Sequence, residues 1–368
     1  MCIRDRGCEQ WDVPTDPKVV EAKRDLFHRI DTGKPHEITT EGGHMLPLLN
    51  RSNKTFLSGS KPAKTPSSTS TTKDYSHIRQ YEHRMTGHAI QTVEKYLELA
   101  KLTVDSLKYV GTPCIDDHLL PPEDFVNRGH LSEQASRAVL KALYLARISR
   151  PDILWTVNAL ARKVNKWTIE CDKRLHRLVS FIHHHQDYVM TSFVGDKPSE
   201  CKLALFCDAS FAGDLEDSKS TTGSILCLVG PNTFAILSWM CKKQGAVSHS
   251  SSEAEIIALE TSLRMEALPV LELWDTIIDV FEPNAPLPFA DEQNLFVHTA
   301  ENLQTKTPGP ANIFDVDWIS TTLKTSPHRT KLVVLEDNEA VIKMAIKGRS
   351  MLMRHVSRTH RIDLSWLF

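Results

Sequence analysis

Beyond about residue 200 the chain changes period, and that change limits the fold more than any other feature. Residues 201–210 ("CKLALFCDAS"), 221–230 ("TTGSILCLVG") and 232–241 ("NTFAILSWMC") are short apolar runs separated by turn-forming links such as "GPN". Three strands joined this closely form an antiparallel meander. "SHSSSEAEIIAL" (248–259) then opens a helix predicted to run to about Val280. Ser252 with Glu255 reads as a capping box that starts this helix, and Ser250 with Glu253 repeats the pattern two residues earlier. "KLVVLED" (331–337) lacks alternation, as a buried interior parallel strand does, and "NEAVIKMAIKG" (338–348) reads as a helix closed by Gly348. The order β-β-β-α-β-α predicts a right-handed crossover that sets the fourth strand parallel to the first.

Three acids sit where this topology gives them a common address. Asp208 ends the first strand, Glu255 lies near the start of the long helix, and Asp337 ends the fourth strand. Neighbouring parallel strands bring both aspartates to the carboxyl edge of the sheet, where ligands of open α/β sheets bind. Each acid alone is readily explained as a solvated or capping group. Together they repel, and a hard divalent cation with oxygen ligands relieves that repulsion. Glu253 and Glu255 lie roughly 200° apart around a helix, so only one of them can face the aspartates. Spacing alone leaves the choice between them open, and the one that faces away reads as charge at the positive helix end.

At these residues a resemblance becomes specific. "FCDASFAGDLEDSKSTTGSILCLVG", "LSWMCKKQGAVSHSSSEAEIIAL" and "LEDNEAVIKMA" resemble the ribonuclease H domain of Ty1/copia-type retrotransposon polyproteins. "ALYLARISRPDILWTVNALARKVNKWT" resembles the segment joining that family's reverse transcriptase to its ribonuclease H, and "TVEKYLELAKL…VGTP" resembles the tail of the polymerase palm. The resemblance implies an α/β, ribonuclease H-like mixed sheet of three antiparallel strands and one parallel strand with helices packed on it, preceded by a helical connection segment. It implies that Asp208, Glu255 and Asp337 are catalytic metal ligands, with Glu255 in the family's E-x-x-A pattern. Two Mg²⁺ ions, or Mn²⁺, would serve hydrolysis of the RNA strand of an RNA–DNA hybrid, one activating water and one stabilising the leaving oxygen. The implied partners are the hybrid and the remainder of the polyprotein, with no membrane and no small-molecule cofactor. Asp214, Ser220 and Thr221 match positions of the family's strand turn, where structural roles are expected.

The departures from the family pattern matter as well. No Y-x-D-D occurs, so DNA synthesis is not expected. Residues 281–330 exceed the usual family length and read as an insertion. "RTHRIDLSWLF" resembles a segment with an R-H-I-D core in which the His and Arg are exchanged, and makes Asp363 a candidate fourth acid. Ribonuclease H topology instead puts that acid on a final helix after a fifth strand, which would lie past Phe368 and make the C-terminus truncated. The alternative function is therefore a truncated or decayed retroelement fragment that binds nucleic acid without cutting it. An integrase-like strand transferase fits the strand motifs less well.

The boundaries that follow are a weakly structured N-terminal segment with a Ser/Thr/Lys/Pro-rich linker (1–80), a helical connection-like segment (81–200), and the ribonuclease H-like domain (201–368). Within the first, 16–30 has helical spacing, while the opening "MCIRDR" fits no recognisable element. Within the second, helices are predicted near 88–101, over 132–148 with a Ser132 cap, over 152–167 and over 171–186. The net charge of −2 is no polyanion-binding signature, so any nucleic-acid footprint must be local. Arg137, Lys141, Arg162, Lys163, Lys166, Lys173 and Arg174 supply the local candidate, against the plainer reading of solvated helix faces. His183, His184 and His185 are consecutive in a helix and so point apart, which argues against one metal site. The 8 cysteines contain no C-x-x-C, which argues against zinc and a disulfide framework and for a reduced intracellular compartment, the cytoplasm or the nucleus, to which the resemblance adds a retrotransposon particle. No stretch is apolar and long enough to span a bilayer.

Overall fold

In the computed structural model the described residues are 2–5, 7–32, 75–213, 217–285, 328–347, 353, 355–360, 364 and 366–367. The meander forms as expected: β5 (Lys202–Ser210), β6 (Thr221–Gly230) and β7 (Thr233–Lys243) pair antiparallel in sequence order. Strand β8 (Lys331–Leu335) pairs parallel to β5, Phe206 opposite Leu335. It is half-buried, and among the described residues it is the edge of the sheet, not the interior strand its unbroken apolar run suggests. Leu332 packs with the core under α6, and Val333 and Leu335 pack with the layer that contains Val20 of α1.

The sheet continues through four strands that sequence reading did not anticipate. β1 (Cys2–Asp5), β2 (Cys8–Val13), β3 (Arg79–Arg84) and β4 (Met190–Val194) extend it from β7, in the order β1-β2-β3-β4-β7-β6-β5-β8. "MCIRDR" thus contributes a strand, turning into β2 through Gly7, whose φ of +84° suits glycine. Between β2 and β3 lies α1 (Pro17–Thr32), the expected N-terminal helix.

The helical block consists of α2 (Thr86–Ala100), α3 (Ala135–Ile148), α4 (Leu154–Arg162) and α5 (Ile169–His184). Their apolar stripes meet around Val139, Leu145, Val157, Leu175, Leu178 and Ile182, all fully or almost fully buried, and Trp239 and Cys241 of β7 pack on this core. Ser132 does not cap α3, which starts at Ala135. The Ser132 hydroxyl instead accepts from Arg128 Nε at 2.9 Å, and Asp172 captures the backbone N–H groups of His130 and Leu131.

Alternation along β5 divides the sheet. Leu203, Leu205 and Cys207 face α6 (Ser251–Ser262), packing with Leu226, Ile256 and Ile257. Ala204 and Phe206 face the opposite layer with Val20 of α1, Phe193, Val229 and Phe234. Helix α6 continues through a π turn (Leu263–Ala267) into α7 (Leu268–Phe281). Pro269 explains the turn: it lacks the N–H that an α-helix would direct at the Met265 carbonyl, and widening by one residue accommodates its ring. Two short helices, α8 (Glu339–Lys347) and α9 (Val356–Thr359), follow β8. No described helix is long and apolar enough to cross a membrane.

Candidate metal centre

The helix start that aims Glu255 differs from the sequence expectation by two residues. Ser250, not Ser252, is the N-cap: its Oγ accepts the Glu253 N–H at 3.1 Å. The Glu253 carboxylate reaches back to the His249 N–H at 2.8 Å. Ser252 lies inside the first turn with its hydroxyl donating to Asn338 Oδ1 at 3.4 Å. Asn338 also accepts the N–H groups of Ala340 and Val341, capping α8 directly after Asp337. One side chain therefore ties the loop carrying Asp337 to the helix carrying Glu255.

Asp208, Glu255 and Asp337 converge, each offering a carboxylate oxygen within 4.8 Å of the others. Asp208 and Asp337 are exposed, whereas Glu255 is only 7% exposed. Its Oε2 is buried with no hydrogen-bond partner. Burial and the neighbouring carboxylates of Glu336, Asp208 and Asp337 push the Glu255 carboxyl up to about 7, against the pull of the Ala209 N–H. An orphaned buried oxygen facing two more carboxylates fits a hard cation with oxygen ligands.

A fourth carboxylate joins the surroundings from a position sequence reasoning passed over. Glu336 is half-buried, accepting from the Cys207 thiol at 3.4 Å and from the Asn338 N–H at 3.1 Å. Burial raises its carboxyl, and burial together with Glu336 raises the Cys207 thiol. Its adjacency to Asp337 was the available signal. The side-chain alternation past β8 hides it, because it places Glu336 beside Cys207 and Asp337 beside Asp208. Asp363 and Asp214 lie outside the described residues.

Glu253 is more than helix-start charge. Its side chain is 1% exposed, and its Oε1 lies 3.1 Å from His360 Nε2 and 3.2 Å from His355 Nε2. The histidines come from about a hundred residues away, which no local pattern announces. Ser220 takes a structural role, its hydroxyl accepting the N–H of Ala212, which has a positive φ of 48°. Thr221 pairs with Ser210 in the ladder.

The proposed nucleic-acid cations divide. Lys163 and Arg174 both pair with the buried Glu170, at 2.7 and 2.6 Å; Arg174 also pairs with Asp117, and Lys173 with Asp124. These three brace the helical block. Lys141 is half-buried and donates to Gln91, whereas Arg137, Arg162 and Lys166 are exposed on the block's surface. The three consecutive histidines diverge: His184 Nε2 meets the Leu107 carbonyl at 3.1 Å and His185 Nδ1 the Phe181 carbonyl at 2.9 Å.

Fold and site together define an α/β protein with a mixed sheet and an acidic triad able to hold a metal ion at the strand ends. No family model matches the chain, and no solved structure matches it. An uncharacterized mitochondrial protein of Arabidopsis thaliana is 32% identical over 153 residues, 40% of this chain and 57% of that protein. Secreted RxLR effector protein 161 of Plasmopara viticola is 31% identical over 122 residues, 33% of this chain and 81% of the effector. The retrovirus-related Pol polyprotein of transposon TNT 1-94 from Nicotiana tabacum is 28% identical over 173 residues, 45% of this chain and 12% of the polyprotein. The chain belongs to one family with the effector protein, and its similarity to the retrotransposon Pol polyprotein supports a retroelement-derived protein. It spans just over half of the mitochondrial relative and about an eighth of the Pol polyprotein.

Proposed function

We propose that the chain is a metal-dependent endonuclease of the ribonuclease H type, hydrolysing the RNA strand of RNA–DNA hybrids as part of a retrotransposon polyprotein. The observation that carries this reading is the convergence of Asp208, Glu255 and Asp337 within 4.8 Å, with one oxygen of Glu255 buried and unpartnered. Three carboxylates held this close are costly unless a cation offsets their repulsion, and an all-oxygen set suits Mg²⁺ or Mn²⁺. When bound, such ions polarise a phosphoryl oxygen and activate water for phosphodiester hydrolysis.

The protein's own residues divide the labour. Glu255 anchors from within the fold. Asp208 and Asp337 are exposed and would be the ligands nearest an incoming phosphate. Ser250 sets the start of α6, and Asn338 fixes the Asp337 loop against it. Arg137, Arg162 and Lys166 remain the candidate phosphate contacts of the helical block, and the hybrid would be distinguished from DNA by its 2′-hydroxyls. The test is cleavage of a strand-labelled RNA–DNA hybrid in Mg²⁺. Asp208→Asn is expected to lower the rate by at least about 10²-fold, the several kcal/mol that metal assistance supplies. An Asp208→Asn protein that cuts at the wild-type rate would sink the assignment. A wild-type chain that binds the hybrid without cutting it would favour the non-catalytic alternative.

A further inference from the structure

Gly223 stands in the middle of β6, where glycine weakens a strand and gives it nothing to pack. Two ordinary reasons for glycine are missing. Among the described glycines the left-handed backbone belongs to Gly7, so Gly223 is not there for conformational freedom. A Cβ added at Gly223 would meet nothing nearer than the Asp208 carbonyl oxygen at 3.9 Å, so no neighbour excludes a side chain either. A bulge does not account for it either, since the register runs unbroken through Gly223 on both sides and the irregularity of the β6–β7 ladder falls at Leu226/Cys227; the reason left is the close approach of another molecule.

The ladder shows what that molecule would lie between. Gly223 is directly opposite Asp208 on β5 and Cys241 on β7. Directly opposed residues project to one face, so Asp208, Gly223 and Cys241 form a row whose centre has no side chain. The next row on that face is Phe206, Ile225 and Trp239, and Ile225 is 39% exposed. On the reverse face the neighbours Thr222 and Ser224 are buried. The floor at Gly223 and Ile225 is thus open on one side of the sheet only.

Each end of the row is walled. At one end is the acidic triad. At the other, two strand spacings or roughly 10 Å away, the helical block stands against β7. The Cys241 carbonyl accepts the Asn158 amide at 2.9 Å, and Trp239 Nε1 donates to the Ala146 carbonyl at 3.1 Å. One helical turn past Asn158, α4 presents the exposed Arg162, close enough to Cys241 for its charge to counter the effect of burial on the thiol.

We propose that Gly223 keeps a lane open for a nucleic-acid strand, which crosses the sheet between the Asp208 centre and Arg162. This rests on the nuclease reading above and assigns that site its approach. The charge arrangement fits the occupant, since cations favour a phosphate backbone and each wall would offer one, the metal-loaded triad on one side and Arg162 on the other. Ile225 supplies an apolar floor, and a side chain at 223 would stand in the path.

The test compares wild type, Gly223→Val and Arg162→Ala. Melting and Mn²⁺ titration monitor fold and centre, binding of a synthetic RNA–DNA hybrid in Ca²⁺ monitors the lane, and cleavage in Mg²⁺ monitors activity. Valine suits a strand and meets open space here, so Gly223→Val should melt no lower than wild type and bind Mn²⁺ as wild type does. Its hybrid Kd and KM should rise about tenfold or more while kcat stays within about twofold, as for a residue that affects substrate access alone. Arg162→Ala should weaken hybrid binding about fivefold and reduce its salt dependence. Wild-type affinity for the hybrid in Gly223→Val overturns the proposal. So does a Gly223→Val protein that unfolds or loses Mn²⁺, since the glycine would then be structural. If wild type binds but does not cut, the nuclease reading fails while the binding comparison still decides the lane. If wild type cuts and Gly223→Val cuts identically, only the lane fails.

Discussion

Glu255 concentrates the electrostatic cost of the centre in one side chain. Without a cation its carboxyl is raised from 4.5 to about 7, first by burial and then by Glu336, Asp208 and Asp337. The folded protein therefore holds a proton that the unfolded chain has released between those values. Stability linked to this group is fully present below pH 4.5 and is lost as pH rises toward about 7. In EDTA the melting temperature should fall across that window, and Glu255→Gln, which does not titrate, should flatten that part of the profile. Added Mg²⁺ should restore most stability at the high-pH end, because it binds the deprotonated site. An EDTA profile identical for wild type and Glu255→Gln would contradict this. At this scale much could be read in the sequence: the strand-end positions of Asp208 and Asp337 and the E-x-x-A spacing of Glu255 suffice to nominate the triad. Glu336 and the histidines around Glu253 could not be read, because their roles depend on burial and on partners far along the chain.

At the scale of elements, the centre depends on where α6 begins. Sequence offered two capping boxes, and both serines have suitable spacing. The choice of Ser250 follows from tertiary contacts that the spacing does not contain: Ser252 is engaged by Asn338, while Glu253 is held by His249, His355 and His360. Ser250→Ala should cost about 1 kcal/mol, as loss of an N-cap does, visible as a lower melting temperature. It should also weaken Mn²⁺ binding, since the helix start aims Glu255, whereas Ser132→Ala should leave Mn²⁺ binding unchanged because Ser132 caps nothing in α3. Equal Mn²⁺ affinity in wild type and Ser250→Ala would separate the cap from the centre. The apolar run of β8 misled in a similar way, because a strand covered on both faces looks the same in sequence whether or not it has a neighbour on each side.

At the scale of the molecule, one sheet runs from the N-terminal strands to β8, and the helical block is fastened to it through β7. The meander and its parallel partner were legible because their apolar runs and turns are local signals. The first strands were not: "CEQWDV" and "RQYEHR" are mostly polar, and only backbone bonds to residues up to about a hundred positions away make them strands. Leu175, fully buried in the block, tests the coupling. Leu175→Ala should cost roughly 2–5 kcal/mol. If block and sheet unfold together, signals from both should move to the same lower midpoint in a denaturant titration.

The metal centre itself is best tested by calorimetric titration of the protein with Mn²⁺ at a pH above the Glu255 transition, in wild type and Glu255→Gln. The expected result is saturable binding by wild type that is lost or at least about tenfold weaker in Glu255→Gln, because the buried ligand and its charge are removed. Equal binding by the two proteins would mean that the convergence of Asp208, Glu255 and Asp337 does not form a metal site.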